Sequence, residues 1–237
     1  MVRRESEAEM AYSGQIDAAL RLAAAAHYED MRKGTQIPYL MHPFQVGLIL
    51  DRHGFGDDLV IAGILHDVLE DPHYERGSVQ ERLHAVCPGL PVPTIGRPEF
   101  LQAVEEYIAR TFGEAVLGLV RHVTEQKRDE TGKEREWRVR RREQLAALDG
   151  ASASHCALKA ADCLHNLRSL GRDFRTDGAA VARRFNAGSE AQLWYYSSVV
   201  ELVSTSLGPG SALVQELRGA LEDFSAALRE AGASAGS

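Results

Sequence analysis

No apolar run in these 237 residues approaches the roughly 20 that a bilayer-spanning helix needs. The opening MVRRESEAEM is charged and has no apolar segment behind it, so neither a membrane span nor an export signal is expected. Cysteine is scarce: Cys87, Cys156 and Cys163 show no CxxC spacing and cannot make an even-numbered disulfide framework. Core or surface thiols in a reducing cytoplasm are the simplest setting for them. Positive charge is in deficit, with a net −7, which argues against the broad basic footprint that a nucleic-acid partner requires. A small phosphorylated ligand in a locally basic pocket stays compatible with that charge. Long alternating strand patterns and internal repeat periods are also missing.

What is there is helical spacing. Apolar residues recur as Ile16, Leu20, Leu22, Ala23 and Ala26, and again as Leu59, Ile61, Ile64, Leu65 and Leu69. Ser13 suits a first N-cap, Pro43 the start of a second helix, and Gly54 and Gly56 a break before a third. The expected helices span about 14–31, 43–53, 57–70, 98–112, 113–126, 134–148, 152–171, 177–186, 189–206 and 210–231. From Asp71 to Pro98 prolines and glycines punctuate too often for continuous helix. That stretch is expected to be loop, with a turn or two of helix near Val79–Ala85. A hydrophobic fraction of 44% is enough for one sizeable core, so the expected fold is a single all-α domain over 1–237, frayed at about 1–12 and 232–237.

His66 and Asp67 adjoin one another in the apolar segment GILHDVLED, a costly place for two polar groups unless something partners them. A metal ion is the natural partner. On a continuous helix, Glu70 would stack over His66 and Asp71 over Asp67. Upstream, His42 directly precedes Pro43. Downstream, Asp162 and Asn166 share a face of ALKAADCLHNLRSL at i, i+4. Two imidazoles and two carboxylates, His42, His66, Asp67 and Asp162, leave positions open for water and substrate, and such mixed ligation suits manganese, iron or zinc.

The order His42, then His66–Asp67, then Asp162 resembles the H…HD…D signature of the HD superfamily. RKGTQIPYLMHP, LHDVLED and KAADCLHNLRSL resemble three blocks of the RelA/SpoT-type hydrolases within it. The resemblance runs from about His27 to Leu170. It implies an all-α HD-domain bundle that removes pyrophosphate from the 3′ position of guanosine alarmones, with one manganese ion as cofactor and a nucleotide as its small-molecule partner. The chain is similar to stand-alone small alarmone hydrolases, since no length remains for a synthetase or regulatory domain. By the same resemblance His42, His66, Asp67 and Asp162 hold the ion, while Glu70 activates the attacking water with Asp71 in support. Arg32, Lys33 and Asn166 line the nucleotide pocket. Cys163 and Ser169 depart from the residues common in the family, and the stretch from Pro72 to Pro98 is longer than in many relatives.

Blander readings stand beside this one. His27, His53, His73, His84, His122, His155 and His165 lack ligand spacing and read as surface or satisfied core histidines outside the metal site. Trp194, Tyr195 and Tyr196 read as core before they read as a base-stacking platform. The basic stretch Lys127–Arg142 reads as a solvated helix face, with phosphate binding as its alternative. Hydrolysis of another nucleotide, such as NADPH at its 2′-phosphate or an adenosine alarmone, and a non-catalytic alarmone sensor also stay open.

Overall fold

The computed structural model describes residues 13–70, 73–90, 97–178, 180–181 and 188–234. Among them the chain forms ten α-helices and no strand. They are α1 (Gly14–Ala26), α2 (Met41–Arg52), α3 (Asp57–Leu65), α4 (Gly77–Val86), α5 (Arg97–Phe112), α6 (Glu114–Val123), α7 (Trp137–Leu148), α8 (Ala153–Asp177), α9 (Ser189–Leu207) and α10 (Ala212–Ser234). Two isolated bridges, Met31 with Pro38 and Arg128 with Glu134, tie off loops. No described helix is long and apolar enough to cross a membrane.

α8 is the central post, packed against α2, α3, α6, α9 and α10. Its buried face carries Cys156, Ala157, Ala160, Ala161, Leu164 and Leu167, so small residues let neighbours approach closely. Ser152 caps it by accepting the His155 N–H, and it runs on to Asp177, past the expected end at 171. Of the helix expected over 177–186, Asp177 belongs to α8, a tight turn follows at Gly178, Ala180 and Val181, and the rest lies outside the described residues.

α2 and α3 meet through glycine. A Cβ on Gly63 would stand 2.7 Å from Leu50 Cδ1, and one on Gly47 would stand 2.7 Å from Ile64 Cγ1. Only hydrogen at these positions allows such an approach, and it carries the start of α2, with His42, to the end of α3, with His66.

Three further expectations are corrected. α1 ends at Ala26 rather than at 31, because His27 caps it and the chain turns into the bridged loop that displays Arg32. α3 ends at Leu65 rather than at 70. The Gly63 carbonyl, which would accept the Asp67 N–H in a longer helix, accepts the His66 imidazole at 2.8 Å. The chain then tightens into short turns in which Val68 N–H bonds to Leu65 and Glu70 N–H to Asp67. The stretch after Asp71 holds a full ten-residue helix, α4, and not merely a turn or two. Tyr74 is fully buried and donates to the Val68 carbonyl at 2.6 Å, while Gln80 on α4 donates to the Tyr74 carbonyl at 2.5 Å. This segment props the turn that carries Asp67 and Glu70. All three cysteines are free and buried.

Candidate metal centre

Four side chains from three elements converge. His42 comes from the first turn of α2, His66 and Asp67 from the turn that follows α3, and Asp162 from mid-α8. His42 Nε2 lies 3.1 Å from His66 Nε2, 3.5 Å from Asp67 Oδ2 and 3.4 Å from Asp162 Oδ1. His66 Nε2 lies 3.1 Å from Asp67 Oδ2 and 3.9 Å from Asp162 Oδ1. One atom each of His42, His66 and Asp162 fits within 4.8 Å of the others.

Every donor is held from behind. His66 gives its Nδ1 proton to the Gly63 carbonyl, an acceptor only, so neutral His66 presents a lone pair at Nε2. His42 Nδ1 stands 2.7 Å from His165 Nδ1, and in the tautomer whose Nδ1–H donates to His165, His42 Nε2 presents a lone pair as well. Asp162 Oδ2 takes Lys159 Nζ at 2.9 Å, and its Oδ1 takes Asn166 Nδ2 at 2.7 Å. Asp67 Oδ2 takes the Tyr39 hydroxyl at 2.6 Å. His42, His66 and Asp162 thus offer three mutually close electron-rich atoms, with Asp67 Oδ2 beside the two imidazoles, an arrangement that a divalent cation would satisfy, with outer partners of the kind that orient metal ligands.

Burial would lower the His66 pKa, but the Asp67 and Asp162 carboxylates outweigh burial and raise it to about 9. Burial dominates at His42, which falls below the usual histidine value. Burial alone would raise Asp67, yet the His66 and His42 imidazoles hold its carboxyl far below the ordinary range. At Asp162 the Lys159 ammonium and both imidazoles likewise overcome burial. Burial, with His42 and Arg32 nearby, takes His165 down to about 3, so it is neutral.

Glu70 stands beside this cluster. Its carboxyl is raised to about 7, by burial first and Asp67 second, against the pull of Lys127. Lys127 Nζ is 3.1 Å from Oε1, and the Glu125 N–H reaches Oε2 at 3.3 Å. The continuous helix that was to stack Glu70 over His66 is not formed, since both lie beyond α3, and Glu70 is held instead by Lys127 and the Glu125 N–H. Asp71 lies outside the described residues. On the other flank Arg32 Nη2 donates to Asn166 Oδ1 at 3.0 Å, tying it through Asn166 to Asp162. Lys33 is exposed next to it.

The reading of Lys127–Arg142 as a solvated face is corrected in part. Arg140 is buried and bonds to buried Glu125 at 2.8 Å, Arg141 reaches Glu125 at 3.3 Å, and Lys127 turns to Glu70. A run of charge does not reveal which members face inward when their partners come from elsewhere. Tyr39 and Lys159 also escape assignment from the sequence, and the placing of His165 apart from the metal site is corrected in part, since its Nδ1 lies 2.7 Å from His42 Nδ1. Tyr39 and Lys159 lie inside the motif blocks, and the i, i+3 spacing of Lys159 to Asp162 was the available signal. His165 is outside the four donors but supports one of them. Tyr195 and Tyr196 are core, while Trp194 is half-buried with Arg138 5.2 Å over its ring.

The HD domain family matches residues 19–186. A guanosine-3′,5′-bis(diphosphate) 3′-pyrophosphohydrolase of Borreliella burgdorferi is 39% identical over 61 residues, 26% of this chain and 9% of that protein. One of the same name from Aquifex aeolicus is 37% identical over 71 residues, 30% of this chain and 10% of that protein. The chain therefore spans about a tenth of the length of these curated relatives. Among solved structures, a Listeria monocytogenes EGD-e protein superposes with a TM-score of 0.56 at 25% identity, covering 79% of this chain and 96% of its own. A metazoan SpoT orthologue, described as hydrolysing ppGpp, superposes at 0.58 with 24% identity over 89% of this chain and 96% of its own.

Proposed function

Because this chain belongs to the HD-domain family, we propose that it is a metal-dependent guanosine-3′,5′-bis(diphosphate) 3′-pyrophosphohydrolase with manganese as its working ion. The observation that carries this reading is the convergence of His42, His66, Asp67 and Asp162 beside a carboxyl poised near neutrality, with Arg32 bonded into the same cluster through Asn166. The names of the curated relatives and the three motif blocks support the choice of substrate.

His42, His66, Asp67 and Asp162 would hold the ion. A divalent cation there supplies positive charge that acidifies water and neutralises phosphate oxygens. Glu70, with a pKa of about 7, is ionised often enough at neutral pH to accept a proton and is still a useful base. Lys127 keeps its carboxylate aimed. Arg32 presents its guanidinium at the mouth of the site, where a planar fork suits phosphate oxygens, and Lys33 adds charge at the exposed edge. The nucleotide is thus fixed before water adds to the 3′ α-phosphorus. The O3′–P bond breaks, the ribose oxygen takes up a proton, and GDP or GTP leaves with pyrophosphate. Asp71, as a second carboxylate after Glu70 in sequence, is assigned support of the water.

Incubation of the manganese-loaded protein with ppGpp, with products separated by ion exchange, tests this reading. Equimolar GDP and pyrophosphate are expected, and chelation should abolish them. Orthophosphate release from NADPH with ppGpp untouched would overturn the choice of substrate.

A further inference from the structure

Asp67 lies past the end of α3, so no helical backbone sets its direction. Its Oδ2 accepts from Tyr39 at 2.6 Å and faces His66 Nε2 at 3.1 Å and His42 Nε2 at 3.5 Å. One oxygen thus spends one lone pair on the phenol and turns the other toward the imidazoles. Tyr39 is itself pinned. Its backbone N–H donates to the Asp30 carbonyl at 2.8 Å, and its ring lies between those of His27 and His42, at centroid distances of 4.8 and 5.8 Å.

The ring behind Tyr39 is unusual. His27 is 3% exposed, and its Nδ1 donates to Asp30 Oδ2 at 3.1 Å, yet its Nε2 is buried with no hydrogen-bond partner among the described residues. An apolar side chain would fill the space without an orphaned nitrogen. What the imidazole adds is the Asp30 bond, which fixes the plane of the ring against which Tyr39 rests. Asp30 also supplies the carbonyl that holds the Tyr39 backbone, so both restraints on Tyr39 come from one short segment.

We propose that Tyr39, backed by His27, is a positioning residue for the cation: its hydroxyl fixes which Asp67 oxygen is offered and in what direction. The proposal rests on the ion-site reading above. It assigns Tyr39 no contact with the nucleotide and no proton transfer, because its hydroxyl is committed to Asp67.

The test is calorimetric titration of manganese into the chelator-stripped full chain, for wild type, Tyr39→Phe and Asp67→Ala, with nucleotide turnover measured at limiting and at saturating manganese. Tyr39→Phe should weaken manganese binding roughly 10–100-fold, the usual effect of losing an outer partner of a metal ligand. Saturating manganese should restore kcat, and the nucleotide KM should be unchanged. Unaltered manganese affinity overturns the proposal, as does a kcat loss that manganese does not restore, or a raised KM alone. If Asp67→Ala binds manganese as tightly as wild type, the ion-site reading fails and the proposal with it. Should Tyr39→Phe prove unfolded by circular dichroism, His27→Asn, which keeps the phenol and removes the ring behind it, decides by the same criteria with a smaller expected loss.

Discussion

Lys127 Nζ and Glu70 Oε1 stand 3.1 Å apart, so a lysine from the loop after α6 holds the carboxyl that follows the HD pair. Burial and Asp67 raise the Glu70 pKa to about 7, and Lys127 opposes them. The base form therefore grows as pH rises through about 7 in the ion-free protein, and a bound cation would move that point lower. Lys127→Met removes the opposing charge, so the acid limb of the kcat profile should move to higher pH, with the rate recovering in alkali. Glu70→Gln should lower kcat by roughly 10²–10⁴-fold while sparing manganese binding. A pH profile identical in Lys127→Met would dissociate the two residues.

The raised pKa of Glu70 also has a sign for stability. Its folded value of about 7 exceeds the ordinary 4.5, so the ion-free fold binds this proton more tightly than the unfolded chain does. Between those values stability declines as pH rises, and above about 7 this contribution levels off. Glu70→Gln should flatten that part of the melting profile, measured on chelator-treated protein.

His66 gives a second pH signature. At about 9 its imidazole is protonated near neutrality in the ion-free protein, whereas an ion needs Nε2 bare. Cation binding at about pH 7.5 should release close to one proton, and the apparent affinity should rise roughly tenfold per pH unit toward 9. Calorimetry in two buffers of different ionisation enthalpy reads that proton directly. No release would mean that the ion does not use His66 Nε2.

Much of the site was legible because its residues violate their surroundings. His66 and Asp67 interrupt an apolar run, and Asp162 and Asn166 sit on an otherwise apolar helix, which is why polar partners could be inferred from neighbours alone. The end of α3 was not legible, because apolar residues continue through Leu69 while a single side-chain bond, His66 to Gly63, ends the helix. α4 was under-read since Pro72, Gly77 and Pro88 bracket it closely and its pattern is short. The inward turn of Lys127 and Arg140 depends on Glu70 and Glu125, whose positions only the tertiary fold determines.

Arg32 reaches Asn166 across 134 residues of sequence through one 3.0 Å bond. Lysine keeps the charge but loses the planar fork that can bind Asn166 and a phosphate together. Arg32→Lys should raise the nucleotide KM about 10–100-fold, the equivalent of one charge-assisted hydrogen bond, with manganese affinity nearly unchanged. An unaltered KM would remove Arg32 from the nucleotide pocket.

Arg140 and Glu125 form a buried pair at 2.8 Å, with side chains 7% and 4% exposed. Removing one partner of such a pair commonly costs about 3–5 kcal/mol, because the remaining charge stays out of water. Here Arg141 stays within 3.3 Å of Glu125, so Arg140→Met should fall near the lower end, roughly 3 kcal/mol, a drop in Tm of about 6–12 °C for a domain of this size. The loss should also reach the site, since the Glu125 N–H bonds Glu70 Oε2. A shifted Glu125 loosens one of the two contacts that aim the base. Differential scanning calorimetry beside kcat at saturating manganese separates the outcomes. A Tm within a degree of wild type would mean that Arg141 alone compensates Glu125. A large drop in Tm with kcat intact would mean that Lys127 alone suffices to aim Glu70.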